Sequence, residues 1–219
     1  MDVFLKILFI LLAYLIGSIP FGLIICKIKG VDVRKVGSGN IGATNVKRAL
    51  DIRYSALTFI CDAIKGGLFV LLFRYEIIPQ TYMVLDPALY GFIAVIGHSF
   101  PIYLKFKGGK SVATGAGFCF AYLPITFPIG VISFLSILYI TKYVSVGSLG
   151  SAIVFFIVSI IFYFIGYDFI TGYEITFYFP IFVFLSAVVI FIRHSANIRR
   201  LKEGTEAKMK TKKQKDLEN

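Results

Sequence analysis

Long apolar runs separated by short charged loops are the feature that most constrains how this chain can fold. A helix needs about 20 apolar residues to cross a bilayer, and fewer where it is short or partly shielded. Apolar segments lie near residues 3–26, 54–73, 83–104, 111–122, 125–141, 147–166 and 175–192. Of the 219 residues, 58% are hydrophobic and only 16% are charged. The sequence therefore predicts an all-α integral membrane protein with one domain over residues 1–206, because no polar stretch is long enough to enclose a second core.

The apolar region 111–141 is interpreted as two helices. A single helix over these residues would be roughly 45 Å long, whereas the hydrocarbon core of a bilayer is about 30 Å thick. Pro124 and Pro128 also interrupt the region, and proline disrupts helix interiors. This division gives seven predicted transmembrane helices.

The distribution of basic residues predicts the orientation of the chain. Most of the 23 Lys and Arg residues lie in loop 27–53, in loop 105–110, at Lys142 and after residue 192. Seven helices place all four regions on one side, whereas six would separate the first basic loop from the basic C-terminus, against the positive-inside rule. We therefore predict the N-terminus outside, the C-terminus in the cytoplasm and a basic cytoplasmic tail over 207–219. Anionic lipid headgroups account for the net charge of +11, so no nucleic-acid partner is expected.

The first of three polar blocks covers residues 37–48. Its glycines free the backbone to turn N–H groups inward, and its short polar side chains and one arginine add hydrogen-bond donors. The residues concerned are Ser38, Gly39, Asn40, Thr44, Asn45 and Arg48. This inventory suits a phosphate or another small anion. The alternative is a glycine-rich re-entrant turn whose polar groups satisfy one another at membrane depth.

The second polar block covers residues 97–114. It contains a Gly-Gly-Lys-Ser stretch that opens a predicted helix, where free N–H groups, the positive helix end and an ammonium come together. The residues concerned are Gly108, Gly109, Lys110, Ser111 and Thr114. The spacing does not match a nucleotide-binding P-loop, which excludes nucleotide hydrolysis. A lysine cluster that snorkels to the headgroups is the alternative. His98 is either a ligand or a satisfied helix-end histidine, and the sequence favours the second interpretation.

The third polar block follows the last apolar segment. His194 and Asn197 are one helical turn apart and share a face. Ser145, at the start of another predicted helix, is either a phosphate donor or a helix cap. Glu206 lies among cations and is interpreted as a salt-bridge partner rather than a base. Within the second apolar segment, Asp62 and Lys65 are expected to pair, because isolated charges in a membrane are costly.

Together these blocks resemble the bacterial acyl-phosphate:glycerol-3-phosphate acyltransferase family of the PlsY type. The matching stretches are residues 37–48, 97–98, 100–101, 106–110, 112–114, 143–145, 194, 197–198, 200–201, 204 and 206. The resemblance extends from the first apolar segment to about residue 206. One position departs from the family pattern, because Ser111 stands where the family usually has glycine. If that position needs a positive φ, a serine there would weaken substrate binding.

The resemblance implies seven transmembrane helices and a shallow cytoplasmic site in the bacterial inner (plasma) membrane. It also implies transfer of a fatty acyl group from acyl phosphate to the sn-1 hydroxyl of glycerol 3-phosphate, which gives lysophosphatidic acid and phosphate. Expected partners are these two substrates and membrane lipid, with no cofactor, no metal and no obligatory protein partner. Acyl phosphate is an activated mixed anhydride, so the protein mainly has to orient the substrates and stabilise developing charge.

For this reaction we predict two groups of site residues. The catalytic group is Ser38, Arg48, Lys110, His194 and Asn197. The phosphate-binding group is Gly39, Asn40, Thr44, Asn45, Gly108, Gly109, Ser111, Thr114 and Ser145. His194 is expected to contact a phosphate or relay a proton, and a substrate phosphate oxygen is the other candidate proton acceptor.

A small transporter or lipid-handling protein for organic phosphates is the competing interpretation. Transporters also use broken helices and helix-end anion sites. The polar blocks, however, are predicted to lie at one membrane face, and the sequence contains few ionisable residues near the predicted midplane.

Overall fold

The computed structural model describes residues 2–209, and over this range the regular structure is helical apart from one isolated antiparallel bridge between Tyr167 and Glu174. Residues 210–219, most of the predicted basic tail, lie outside the described residues. The α-helices of the described range are α1 (Asp2–Gly17), α2 (Phe21–Ile28), α3 (Ala43–Ala49), α4 (Ile52–Arg74), α5 (Pro87–Ser99), α6 (Val112–Tyr122), α7 (Thr126–Thr141), α8 (Val144–Ile165), α9 (Tyr178–Arg193) and α10 (Ser195–Lys202).

The first apolar segment is not the single helix that the sequence predicts. It breaks between α1 and α2, which meet at 44°. Pro20 explains the break, because proline has no N–H to donate and disfavours helical geometry at the preceding residue, Ile19. A second break of 57° separates α9 from α10 at His194.

The other predicted segments each contain a helix, with α4 to α9 following in the expected order. The third begins later than predicted, at Pro87 rather than near residue 83. Asp86 caps this helix by accepting a hydrogen bond from the Ala88 N–H at 2.7 Å. Proline in the first turn of a helix loses no intrahelical hydrogen bond, so the sequence Asp86-Pro87 is a strong start signal.

Three helical segments of the described range have the length and apolarity to cross a membrane: α4, α8 and Pro87–Leu104, which is α5 with the turn after it. Counting each bent pair, α1 with α2 and α9 with α10, as one crossing raises this number to five. The apolar helices α6 and α7 are shorter. Many large apolar side chains face outward, such as Phe164 at 80% exposure, as lipid-facing residues do.

Helix α5 lies at the centre of the bundle, where it packs against α1, α4, α6 and α9. The helices α4 and α6 cross at small residues. A Cβ at Gly66 would overlap the backbone of Thr114, and a Cβ at Gly117 would overlap that of Ala63. The two backbones therefore touch, which holds the start of α6 in a fixed position against α4.

A separate small core lies beneath the first polar block. Its buried members are Cys26, Val33, Ile41 and Val46, contributed by α2, the loop after it and α3. This core anchors the polar loop to the bundle, so the loop has a defined conformation.

Candidate active site at one end of the bundle

The three polar blocks meet at the same end of the bundle. The Lys110 ammonium donates to the Asn197 Oδ1 at 2.5 Å, which joins the second block to the third. The Arg193 guanidinium donates to the carbonyl oxygens of Gly108 at 2.6 Å and Gly109 at 3.0 Å. A cavity of about 340 Å³ lies between the first block and the second. Its lining residues are Arg34, Ser38, Gly39, Asn40, Ile41, Lys107, Gly108 and Arg193.

Asn45 organises the first block from within. Its side chain is buried, and its Nδ2 lies 2.9–3.0 Å from the carbonyl oxygens of Val33, Val36 and Asn40. Its Oδ1 accepts from the Ser38 N–H at 3.0 Å. In this arrangement the donors of Asn45 are used to shape the loop.

The neighbouring residues of the first block are more accessible. Ser38, Thr44 and Arg48 are exposed, and Ser38 and Gly39 line the cavity with Asn40. The Asn40 Oδ1 accepts from the Gly42 N–H at 3.1 Å, which leaves its Nδ2 as the donor for a ligand. The first block thus presents hydroxyl, amide and guanidinium donors on its outer side.

The glycines of the second block are hydrogen-bonded to the end of α5 through their backbone N–H groups. The Gly108 N–H donates to the Ser99 carbonyl at 3.2 Å, and the Gly109 N–H donates to the His98 carbonyl at 3.0 Å. These N–H groups are therefore not free for a phosphate. A Cβ at Gly108 would overlap the His98 carbonyl, and one at Gly109 would overlap the His98 ring. The glycines instead allow the loop to lie directly on the end of α5.

Ser111 and Thr114 also face the protein rather than the cavity. Ser111 has a φ of +59° and its hydroxyl donates to the Val95 carbonyl at 2.9 Å, beside the Ser99 hydroxyl at 2.5 Å. Thr114 is fully buried where α6 crosses α4. In this arrangement both side chains help to fix the start of α6.

Glu206 accepts hydrogen bonds from three side chains around the third block. One carboxylate oxygen accepts from the Asn197 Nδ2 at 2.7 Å and from the Ser145 hydroxyl at 2.8 Å, and the other accepts from the Arg200 Nε at 2.7 Å. The predicted salt-bridge role of Glu206 is confirmed. Through it the C-terminal segment, the start of α8 and α10 are tied together beside Lys110.

The environment perturbs two ionisable groups of this cluster. Burial lowers the pKa of Lys110 from its ordinary 10.5 to about 8, and the charge of Glu206 opposes this shift while Arg200, Arg48 and Arg193 add to it. Burial alone would raise the pKa of Glu206, but the hydrogen bonds from Asn197, Ser145 and Arg200 outweigh it and hold that pKa below the usual value. An anion beside Lys110 would favour the ammonium form.

His194 is buried at the junction of α9 and α10. Its Nδ1 lies 2.8 Å from the Ile190 carbonyl oxygen. Because a carbonyl can only accept, Nδ1 carries the proton in this contact and the neutral ring has an acceptor at Nε2. Burial and the nearby Lys110 charge lower the pKa of His194 to about 4, so the arrangement fits a proton relay by the neutral ring.

A narrow apolar crevice begins beside this polar cluster. It runs between α6, α8 and α9 and encloses about 20 Å³. Its walls include Val112 and Cys119 of α6, and Ser148 and Phe155 of α8. Because Val112 follows Lys110 by two residues and Ser148 follows Ser145 by three, the crevice leads away from the polar cluster along the bundle for about two helical turns.

Sequence reasoning missed three cations that line the cavity: Arg34, Lys107 and Arg193. Arg34 is held by Asp32 at 2.9 Å, and this hydrogen-bonded contact lowers the pKa of Asp32 to about 2. The spacing of Asp32 and Arg34 is unremarkable in sequence, so only the fold reveals their place. Across residues 2–209, no cluster of three His, Cys, Asp or Glu side chains suited to a metal ion occurs.

Comparison with known proteins identifies the family. Residues 7–204 match the family described as "Glycerol-3-phosphate acyltransferase". The chain is 42% identical over 205 residues to the glycerol-3-phosphate acyltransferase of Bacillus subtilis, covering 93% of this chain and 97% of the relative. It is 41% identical over 204 residues to the enzyme of that name from Thermus thermophilus, covering 91% and 93%.

The fold resembles crystal structures of PlsY (YgiH), described as an integral membrane glycerol 3-phosphate acyltransferase. The glycerol 3-phosphate form gives a TM-score of 0.80 at 36% identity, covering 94% of this chain and 96% of that one. The lysophosphatidic acid form gives 0.78 at 35% identity with the same coverage. The resemblance inferred from the polar blocks is thereby confirmed, and the chain belongs to the glycerol-3-phosphate acyltransferase family.

Proposed function

We propose that this protein transfers a fatty acyl group from acyl phosphate to the sn-1 hydroxyl of glycerol 3-phosphate. The products are lysophosphatidic acid and inorganic phosphate, and the reaction is the first acylation of phospholipid synthesis. The observation that carries the proposal is the meeting of a cationic cavity, the Lys110 cluster and an apolar crevice at one end of the bundle. The reaction needs these features, because both substrates carry phosphate and one also carries an acyl chain. The names of the matching relatives and structures support it.

The cavity supplies the phosphate contacts. We assign Ser38, Gly39, Asn40, Thr44 and Arg48 to one phosphate, supplemented by Arg34, Lys107 and Arg193. Lys110 faces the second phosphate, with Asn197 orienting it. Ser145, whose hydroxyl donates to Glu206 at 2.8 Å, holds that carboxylate in place. Asn45, Gly108, Gly109, Ser111 and Thr114 act indirectly, by holding the two loops in shape.

The acyl chain occupies the crevice between α6, α8 and α9. The walls of this crevice include Val112, two residues after Lys110, and Ser148, three residues after Ser145. A chain lying in it would therefore place its acyl phosphate head at the polar cluster. Chain carbons would then leave water, at about 0.8 kcal/mol per buried CH₂. Because the crevice encloses only about 20 Å³, it has to widen when the chain enters.

The chemical step is direct transfer without an acyl-enzyme. The glycerol hydroxyl oxygen bonds to the acyl carbon, the bond from that carbon to the phosphate oxygen breaks, and the departing phosphate takes the electron pair. The hydroxyl proton passes to a phosphate oxygen, either directly or through His194 Nε2. Lys110 and Arg48 offset the negative charge that accumulates on phosphate and carbonyl oxygens. Such preorganised electrostatic stabilisation is usually the largest single contribution to catalysis.

We also propose that the bundle crosses the bacterial inner membrane seven times, with the N-terminus outside and the site on the cytoplasmic face. The seven crossings are α1 with α2, then α4, α5, α6, α7, α8 and α9. This arrangement keeps the basic loops beside anionic lipid. The domain then ends near residue 206, and 207–219 form a basic cytoplasmic tail.

Phosphate release by purified protein in detergent tests the proposal. The substrates are glycerol 3-phosphate and palmitoyl phosphate, with palmitoyl-coenzyme A as the control donor. We expect release that depends on glycerol 3-phosphate, formation of lysophosphatidic acid, and an inert thioester. Folded protein without turnover would overturn the proposal and favour an organic-phosphate transporter.

A further inference from the structure

Three ionisable side chains form a buried cluster beneath the Lys110 loop. Asp62 Oδ1 lies 2.8 Å from Lys65 Nζ and 3.5 Å from His98 Nδ1. The three residues are 2%, 3% and 4% exposed, respectively. The predicted pairing of Asp62 with Lys65 is confirmed, but the histidine was not expected to join it. We call Asp62, Lys65 and His98 the buried triad.

One end of the triad holds the break between α1 and α2. The Lys65 ammonium donates to the Ile19 carbonyl at 2.6 Å and lies 5.6 Å from the centre of the Phe21 ring. The Ile19 carbonyl also accepts from the Phe21 N–H at 3.1 Å, where the chain turns at Pro20. The triad thus anchors the segment that leads, through α2, into the first polar block.

The other end of the triad supports the Lys110 loop. The Gly109 N–H donates to the His98 carbonyl, and the space where a Gly109 side chain would lie is filled by the His98 ring. Gly109 therefore packs directly against the His98 ring. Lys110 follows directly, so a change in the position of the ring moves the ammonium relative to Asn197.

The triad is expected to contribute little to the stability of the fold, which indicates that it has another role. Buried ion pairs often contribute no more stability than apolar residues of similar volume, because removing charges from water is costly. Charged residues within membrane helices are rare and mostly associated with function. None of the three residues lines the cavity, and His98 meets the lining residue Gly108 through its backbone carbonyl. The cluster therefore acts on the site through the loop that it supports.

We propose that the buried triad positions Lys110. Asp62 and Lys65 hold the His98 ring in place, and the ring fixes the position of Gly109 and therefore that of the Lys110 ammonium. The inference rests on the proposed acyltransferase function for its kinetic consequence, but the position of Lys110 is measurable without turnover. His98, Asp62 and Lys65 are positioning residues in this scheme and touch no substrate.

The contact between His98 and Gly109 is tested by a double-mutant cycle. Gly109→Ala places a methyl group into the ring, and His98→Ala removes the ring, so each single change should lower kcat/KM by about 10- to 100-fold, as expected for a displacement near 1 Å. The double variant should be less impaired than the product of the two single effects, because the alanine methyl then occupies the vacated space. Effects that multiply independently would overturn the proposal.

The role of the charges is tested with a paired change. Asp62→Asn alone leaves the Lys65 charge unpaired, so protein that does not fold is an expected result for it. Asp62→Asn combined with Lys65→Met removes both charges and keeps similar side-chain volumes. We expect this double variant to fold and to lose kcat/KM by a factor similar to that of His98→Ala. A folded double variant with wild-type kcat/KM would contradict the role of the charges.

The position of Lys110 is read directly by its reaction with an amine-reactive reagent, quantified by mass spectrometry from about pH 6 to about pH 11. Wild-type Lys110 should react with a midpoint near its lowered pKa, whereas His98→Ala should raise the midpoint as the ammonium regains water. Tyr90→Phe is the control, because it alters a buried polar residue at the other end of α5. An unchanged midpoint in folded His98→Ala would overturn the proposal even if the enzyme is active. A shifted midpoint would support it even if palmitoyl phosphate is not the donor.

Discussion

The Lys110 ammonium and the Asn197 amide oxygen are in direct contact at 2.5 Å, although the two residues are 87 positions apart in sequence. This contact settles the orientation of the Asn197 amide, whose nitrogen then faces Glu206 at 2.7 Å. Asn197 therefore transmits the position of the C-terminal segment to Lys110. In the absence of substrate, the ammonium is held by neutral oxygen rather than by a carboxylate, so a phosphate does not have to displace an ion pair to reach it.

Removal of the Lys110 ammonium should abolish most of the activity. We expect Lys110→Ala to lower kcat/KM by about 10²- to 10³-fold, the loss typical of removing one preorganised electrostatic group. Lys105→Ala, in the same loop but exposed, is the matched control and should change little. Steady-state phosphate release with folded variants measures both. If folded Lys110→Ala keeps the wild-type kcat/KM, Lys110 has no role in the reaction.

Activity should fall as the pH rises through about 8. The pKa of Lys110 is lowered to about 8, so the ammonium predominates below that pH and the neutral amine above it. Bound phosphate favours the ammonium, so the decline should appear in kcat/KM at lower pH than in kcat. Lys110→Arg provides the control, because a guanidinium stays protonated throughout this range and should remove the decline even if overall activity is lower. A decline that persists in Lys110→Arg would assign it to another group.

Substitution of His194 should separate the structural role of its Nδ1 from the role of its Nε2 in turnover. An asparagine places its amide nitrogen near the former Nδ1 and can still donate to the Ile190 carbonyl, whereas nothing then occupies the Nε2 position. We expect His194→Asn to unfold at nearly the wild-type temperature but to lose about 10²-fold in kcat. His194→Ala, the comparison variant, should lose stability as well as activity. Wild-type turnover by His194→Asn would show that only the Ile190 contact matters.

The order of the helices was predictable because apolar runs and charge distribution are properties of the sequence. The break at Pro20 was missed because residues 3–26 are apolar on both sides of it, and hydropathy does not register the bend. Proline with the preceding Ser18 and Ile19 was the available signal. The family was recognised from the polar blocks, and the comparisons confirm it.

The composition of the site was easier to predict than the direction in which each group points. Glycine-rich loops suggest free N–H groups, yet those of Gly108 and Gly109 are used by the end of α5. The sequence likewise suggests that Asn45 binds a ligand, whereas in the fold its side chain hydrogen-bonds the backbone of its own loop. These outcomes depend on tertiary contacts between segments far apart in the chain. The clearest missed signal was Arg193, a cation directly before His194 at the end of a helix.

The serine at position 111, which has a positive φ, has two opposing effects on stability. A φ of +59° costs a residue with a side chain about 1–2 kcal/mol relative to glycine. The Ser111 hydroxyl offsets this cost by donating to the buried Val95 carbonyl and meeting the Ser99 hydroxyl, with about 1 kcal/mol expected for each such bond. The serine is therefore compatible with a folded site.

Two replacements at Ser111 should consequently differ in stability. Ser111→Ala keeps the positive φ and loses the hydroxyl, so we expect a loss of about 1–3 kcal/mol. Ser111→Gly loses the same hydroxyl but relieves the backbone, so its stability should stay within about 1 kcal/mol of wild type. Lys105→Gly, at an exposed residue with a φ of +50°, controls for backbone relief alone and should be neutral or stabilising. Thermal unfolding in one detergent ranks the variants. If Ser111→Ala is at least as stable as Ser111→Gly, the hydroxyl contacts and the positive φ do not oppose each other as described, because relief of backbone strain should separate the two variants.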